Sequence, residues 1–241
     1  MSLDQSVEYS GGMLPAPTLA QRAAANDLSA ASELVRRLSA GDVTLAHAVG
    51  AASDPAARSV RDALVRFLAR GQWHGRALPL PSGFHAGRAS QHLRDLLIQA
   101  ACAEHVPAWR ATLLDALPDA DAVVRQTAAS LLSQCRGPDV VAALVAVLSD
   151  REESVRWAAA LALAHMDRAG VAVVLKRLAS QDVRPEMRHV AAHVLRHAHD
   201  AALREQLAPV VQALDGSNYR VEAPLAAEDA LQRLGGMSPV Q

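Results

Sequence analysis

Apolar residues along this chain recur three and four positions apart over most of its length, the period of helices that bury one face. From Thr18 to about Gly41 the apolar positions Leu28, Leu34, Val35 and Leu38 predict helix, and Asp42 is placed to cap a further helix through Ala52. Asp54-Pro55 opens another, since proline is tolerated in a first turn. Residues 1–17 hold Gly11-Gly12 and two prolines without a period, and read as a loose tail.

A longer pattern lies over the short one. An apolar residue and an arginine are followed by two variable residues, two small or apolar ones, two variable ones and an apolar one. It appears as Val60-Arg61, Leu93-Arg94, Val124-Arg125, Val155-Arg156, Met187-Arg188 and, in a weaker form, Tyr219-Arg220. The intervals are 33, 31, 31, 32 and 32 residues. A constant period in this range marks a stacked-repeat architecture. Intervening helices are predicted over Trp109 to Leu117, Val140 to Leu148, Val171 to Leu178 and Ala202 to Leu214, with breakers such as Pro118-Asp119 and Gly137-Pro138 between them. Each repeat is then a helical hairpin that buries its apolar face by stacking on its neighbours. Residues 71–88 break the rule, with two prolines, four glycines and no period. They read as an inserted loop that replaces or shortens one helix. The resulting layout is a tail over 1–17, a helical cap over 18–53, a repeat array over 54–234 and a short tail over 235–241.

Composition narrows the class. The chain is 51% hydrophobic but only 3% aromatic, and alanine and leucine dominate. Such residues suit closely packed helices and suit a β-sandwich poorly. Lys plus Arg number 24 against 25 Asp plus Glu, which argues against a general nucleic-acid binder. Two cysteines, Cys102 and Cys135, are too few for a disulfide scaffold and make no metal motif, so reduced thiols and a cytoplasmic setting are expected. No apolar run approaches a membrane span, and no signal peptide is expected.

The string Asp-x-x-Val-Arg-x-x-Ala-Ala-x-x-Leu, present at Asp121 to Leu132, resembles the second helix of a HEAT repeat, and more closely the short variety of bacterial proteins and phycobilin lyases. The resemblance covers roughly residues 54–234. It implies an all-α, right-handed α-solenoid of about six HEAT-like helical hairpins, an armadillo-type fold. It also implies that Arg61, Arg94, Arg125, Arg156, Arg188 and Arg220 form a structural ladder bonded to neighbouring acids and loop carbonyls. Tetratricopeptide and ankyrin repeats share the period, but their signature residues are absent.

Helix geometry places a surface on this fold. At about 100° per residue, positions two, six and ten after the motif's first residue fall opposite the core. By resemblance that stripe lines the concave face, where partners bind. It reads Asp95, Gln99, Ala103; then Gln126, Ser130, Gln134; then Trp157, Leu161, His165; then His189, His193, His197; then Val221, Leu225, Asp229. Trp157, Leu161, His165, His189, His193 and His197 are therefore the candidate partner-binding residues, since an exposed tryptophan is a favoured anchor. His189 and His193 are the candidates for a metal at i, i+4 spacing, with His165 the only nearby third ligand, and the expectation is a polar groove without metal or cofactor. A pH-sensitive contact is the alternative. The loop concentrates Trp73, His74, Phe84 and His85. Trp73 and Phe84 either cover one end of the groove or, the preferred reading, plug the gap left by the missing helix.

No nucleophile elbow, phosphate loop or dinucleotide fingerprint is present. The expected function is non-catalytic: a scaffold holding a protein or peptide, of unassigned oligomeric state. Two enzymatic alternatives follow from resemblance, a phycobilin-lyase-like chromophore handler and a HEAT-like DNA glycosylase using Trp157 with Arg184, Arg188 and Arg196 nearby.

Overall fold

The structure, a computed structural model, describes residues 14–51, 54–80, 86–103, 107–180 and 183–236. Phe84 and His85 lie outside them, as do most of both tails. Among the described residues the elements are α1 (Ala16–Ala24), α2 (Leu28–Ser39), α3 (Val43–Gly50), α4 (Pro55–Arg70), a hairpin of β1 (Gln72–Trp73) and β2 (Arg76–Ala77), α5 (Ala86–Cys102), α6 (Pro107–Ala116), α7 (Ala122–Leu131) with a 3-10 turn (Leu132–Gln134), α8 (Pro138–Val147), α9 (Glu153–Ala164), α10 (Asp167–Ser180), α11 (Pro185–Arg196), α12 (Ala201–Asp215) and α13 (Tyr219–Gly236). The fold is an all-α solenoid.

Aspartates set many of the helix starts. Asp27, Asp42, Asp54, Asp121 and Asp200 each accept a backbone N–H of the first turn, satisfying donors that the helix itself leaves unpaired. One of these caps overturns an expectation. The helix predicted from Thr18 to about Gly41 is two helices, because Asn26 takes a left-handed φ of 66° and Asp27 restarts the chain as the cap of α2. Gly170 has a packing reason. A side chain there would strike the Leu163 carbonyl, so its absence lets α10 lie close on α9.

The motif helices α4, α7, α9 and α11 stack in one row, each packed on the next. Intervening helices back them: α6 against α4 and α7, α8 against α9, α10 against α9 and α11, and α12 against α11. The residues at the interfaces are mostly small. Ala128, Ala129, Ala159, Ala160, Ala191 and Ala192 are all buried. Two copies of the motif leave the row. α5 lies against α2 and α6, while α4 packs directly on α7. α13 packs on α10 and α12 through Ala223, Ala227 and Ala230. For α5 the cause is local: among the described residues no helix precedes it in its own repeat. The β1–β2 hairpin stands there instead, and its Trp73 is wholly buried, with Nε1 donating to the Ala23 carbonyl of α1 at 3.1 Å.

The motif arginines bind the turns. Arg125 Nη1 donates to the carbonyls of Asp119 and Ala120, while Nε and Nη2 both reach Asp150 at 2.8 Å in the following repeat. Arg156 repeats the first half, donating to the carbonyls of Asp150 and Arg151. Arg188 donates to those of Leu214 and Asp215. Arg61 has no carboxylate in reach of its guanidinium and uses Thr112 Oγ1 with the carbonyls of Val49 and Ala51. Arg94 makes one long bond to Leu68 O, and Arg220 lies exposed beside the Tyr219 ring. Burial opposes the charge on Asp150, but the hydrogen bonds from Arg125 and the Glu152 N–H outweigh it and hold the carboxyl below its ordinary range.

The cysteines correct the sequence reading. Cys102, at the end of α5, and Cys135, after the 3-10 turn, are not free thiols: their sulfurs are joined in a disulfide, with Cα atoms 4.6 Å apart. They lie 33 residues apart, about one repeat period, near the ends of consecutive motif helices.

Arg125 and Asp150 are nearly enclosed, with side chains 6% and 12% exposed. Arg125→Ala strands a buried carboxylate and should cost about 3–5 kcal/mol in denaturant unfolding, whereas Arg125→Met with Asp150→Leu should recover most of that loss. A cost below about 1 kcal/mol for the single variant would mean that water screens the pair.

Candidate functional site

Stacking α9 on α11 brings two columns of side chains together. Trp157, Leu161 and His165 stand one turn apart on α9, and His189, His193 and His197 stand likewise along α11 and its C-terminus. The Trp157 ring meets His193 edge-on, with centroids 4.6 Å apart, and His193 stacks on His197 at 4.1 Å. Trp157 is only half-buried, and its Nε1 donates to Glu153 Oε1 at 3.1 Å. A cleft of about 260 Å³ opens between the helices, walled by Trp157, His189 and His193 and rimmed by Arg156, Glu186 and Arg196. Its rim thus carries both signs of charge.

The histidines differ in what they offer. His197 Nδ1 donates to the His193 carbonyl at 2.9 Å, and His165 Nδ1 donates to the Leu161 carbonyl at 2.7 Å. A carbonyl only accepts, so each ring carries its proton on Nδ1. His193 Nε2 is buried with no hydrogen-bond partner among the described residues. Burial, then the neighbouring His197 and Arg196, push the His193 pKa below the ordinary 6.5, so its ring is neutral at pH 7. A neutral imidazole with an unpartnered nitrogen beside an open cleft is a hydrogen-bonding group without its complement.

Four of the six candidate residues, Trp157, His189, His193 and His197, therefore meet at one place. His165 turns away and packs on His199, with centroids 4.9 Å apart. Leu161 stands 47% exposed. Val221 and Leu225, at 56% and 62% exposed, stand on α13, outside the row. Gln126 and Ser130 are half-buried, and Gln134, Asp95 and Gln99 are exposed. Trp73 lies inside the fold against α1, away from this cleft. His189 and His193 share their cleft with Glu186, but among the described residues no group of three or more His, Cys, Asp or Glu is disposed to hold a metal ion. No described helix is long and apolar enough to cross a membrane.

A second cleft, of about 590 Å³, lies between α4 and α6. Arg58 and Arg66 reach across it to Asp115 and Asp119, and burial raises the pKa of Asp62 between them. The motif offsets could have found it, because positions two and six after Val60 are Asp62 and Arg66. Glu153 and Glu186 carry no such signal. They reach the first cleft only because α9 and α11 lie side by side.

The sequence profile of the HEAT-repeat family matches residues 110–196, a span that includes α7 to α11 and the whole Trp157–His193 contact. No curated protein matches the chain.

Because the folded state lowers the His193 pKa, the unfolded chain binds more protons just below pH 6.5, so stability rises with pH through that window and is lost as the pH drops. A charged imidazole quenches indole emission. Acid titration of the folded protein should therefore quench Trp157 with a midpoint below 6.5, and His193→Gln should abolish that step. A midpoint at or above 6.5 would show that His193 is not held neutral by its surroundings.

Proposed function

We propose that this chain, whose residues 110–196 match the HEAT-repeat family, is a non-catalytic HEAT-repeat scaffold that holds a protein or peptide partner against α9 and α11. HEAT repeats generally serve as protein-interaction scaffolds. The observation that carries the site is the contact of half-exposed Trp157 with His193, whose buried Nε2 lacks a partner. Leaving a buried ring nitrogen unpaired is costly, so a ligand group that hydrogen-bonds it gains more than an ordinary surface hydrogen bond would give. Trp157 and exposed Leu161 supply apolar area beside it, and tryptophan gives much area at little entropic cost. Arg156 and Glu186 on the rim would set the orientation of a peptide by charge.

Such a peptide would place an apolar side chain against Trp157 and Leu161 and a hydrogen-bonding group at His193. Peptides selected from a displayed random library against the whole chain should lose at least about 30-fold in affinity, or roughly 2 kcal/mol, on Trp157→Ala. His193→Ala should weaken them as well, while Lys176→Ala on α10 should not. Selected peptides that bind the Trp157 and His193 variants as tightly as the parent would place recognition elsewhere.

A further inference from the structure

The partner surface makes no use of the Cys102–Cys135 bond. The chain contains only these two cysteines, so neither has an alternative intramolecular partner. Their Cα separation of 4.6 Å falls in the ordinary disulfide range of roughly 4.4–6.8 Å. The bond joins two parts of the fold that differ in support. Cys135 is wholly buried behind the 3-10 turn, which packs on α7 and α9. Its N–H is bonded to the Leu132 carbonyl, and Arg136 next to it donates to the His165 carbonyl at 2.8 Å. Cys102 ends α5, the motif helix left outside the row, and is only half-buried.

That asymmetry sets the chemistry. Exchange requires a thiolate to approach a sulfur along the bond, and of the two residues Cys102 is the one that is not fully buried. We infer that Cys102–Cys135 is a reversible thiol–disulfide site, a latch that fixes α5 to the end of α7 when oxidised and releases it when a dithiol reduces it. In the reductive direction one thiolate of the dithiol attacks Cys102 Sγ. The protein S–S bond breaks, and Cys135 leaves as a thiolate that takes up a proton. The second thiol of the reductant, as thiolate, then attacks the mixed disulfide and displaces Cys102. The reductant ends as a disulfide, and two electrons have passed to the protein. A small-molecule disulfide drives the same steps backwards.

The released part is defined by packing. The α4–α7–α9–α11 row closes through its own buried alanines and arginine bonds, without α5 between α4 and α7. Reduction should therefore loosen α5 from its Cys102 end, against the hold of Leu93 and Leu97 on α2 and α6, and leave the row folded.

The test uses the wild-type chain. After incubation with oxidised glutathione, denaturation and iodoacetamide treatment, the mass should show no label; after dithiothreitol it should show two. Native-state hydrogen exchange should then be compared before and after dithiothreitol added without denaturant. The expected result is at least about tenfold faster exchange in α5 on reduction, unchanged protection in α7, α9 and α11, and an unaltered helical circular dichroism signal. The doubly substituted Cys102→Ser, Cys135→Ser chain should exchange like the reduced wild type and should not respond to dithiothreitol. Two labels on the glutathione-treated chain, a bond that resists dithiothreitol until the whole chain unfolds, or α5 exchange that does not change on reduction would each overturn the inference.

Discussion

Helices of ten or twelve residues do not stand alone in water, because the cost of nucleating one is not recovered over so few hydrogen bonds. Everything in this protein depends on stacking those helices face to face. The alanine pairs of the motif make it possible, since their small side chains let α7, α9 and α11 approach closely with few voids. Close approach leaves the turn carbonyls at the row's edge poorly solvated. The motif arginine, one residue from the first core position, supplies donors there. Arg125 shows the full arrangement, with two carbonyls in its own repeat and a carboxylate in the next, and Arg61 shows how Thr112 stands in where no acid is in reach.

The same stacking makes the candidate site. Trp157, two positions into its motif, and His193, six positions into the next, share only a stripe one turn apart, and the row turns that placement into a ring contact. The burial that results keeps His193 neutral and leaves its Nε2 without a complement. A free surface histidine would meet neither condition. The solenoid therefore does more than display side chains, because its packing sets their protonation and hydrogen-bonding state.

The repeat period and the helix starts at Asp42 and Asp54 were legible in the sequence, because each follows from local spacing and from aspartates placed to cap. The departures arise where tertiary contacts compete with local pattern. Asn26 splits a predicted helix because a left-handed residue followed by Asp27 makes a better turn and cap than a continued helix. α5 keeps the motif yet leaves the row, since Leu93, Leu97 and Ala101 bury against α2 and α6 in the absence of a first helix. The disulfide joins cysteines 33 residues, about one repeat, apart, a spacing open to the same reasoning. His165 occupies a stripe position but turns to His199, a residue in the following turn that no helical offset would select. The polar cleft around Asp62 does obey the motif offsets and was open to the same reasoning.

Whether α9 and α11 form the partner surface is measured directly by hydrogen exchange of the chain with and without a bound selected peptide. New protection is expected at Glu153–His165 and Pro185–His197, with α4 and α6 unchanged. Protection that appeared instead around Asp62 and Asp115, with none near Trp157 or His193, would contradict it.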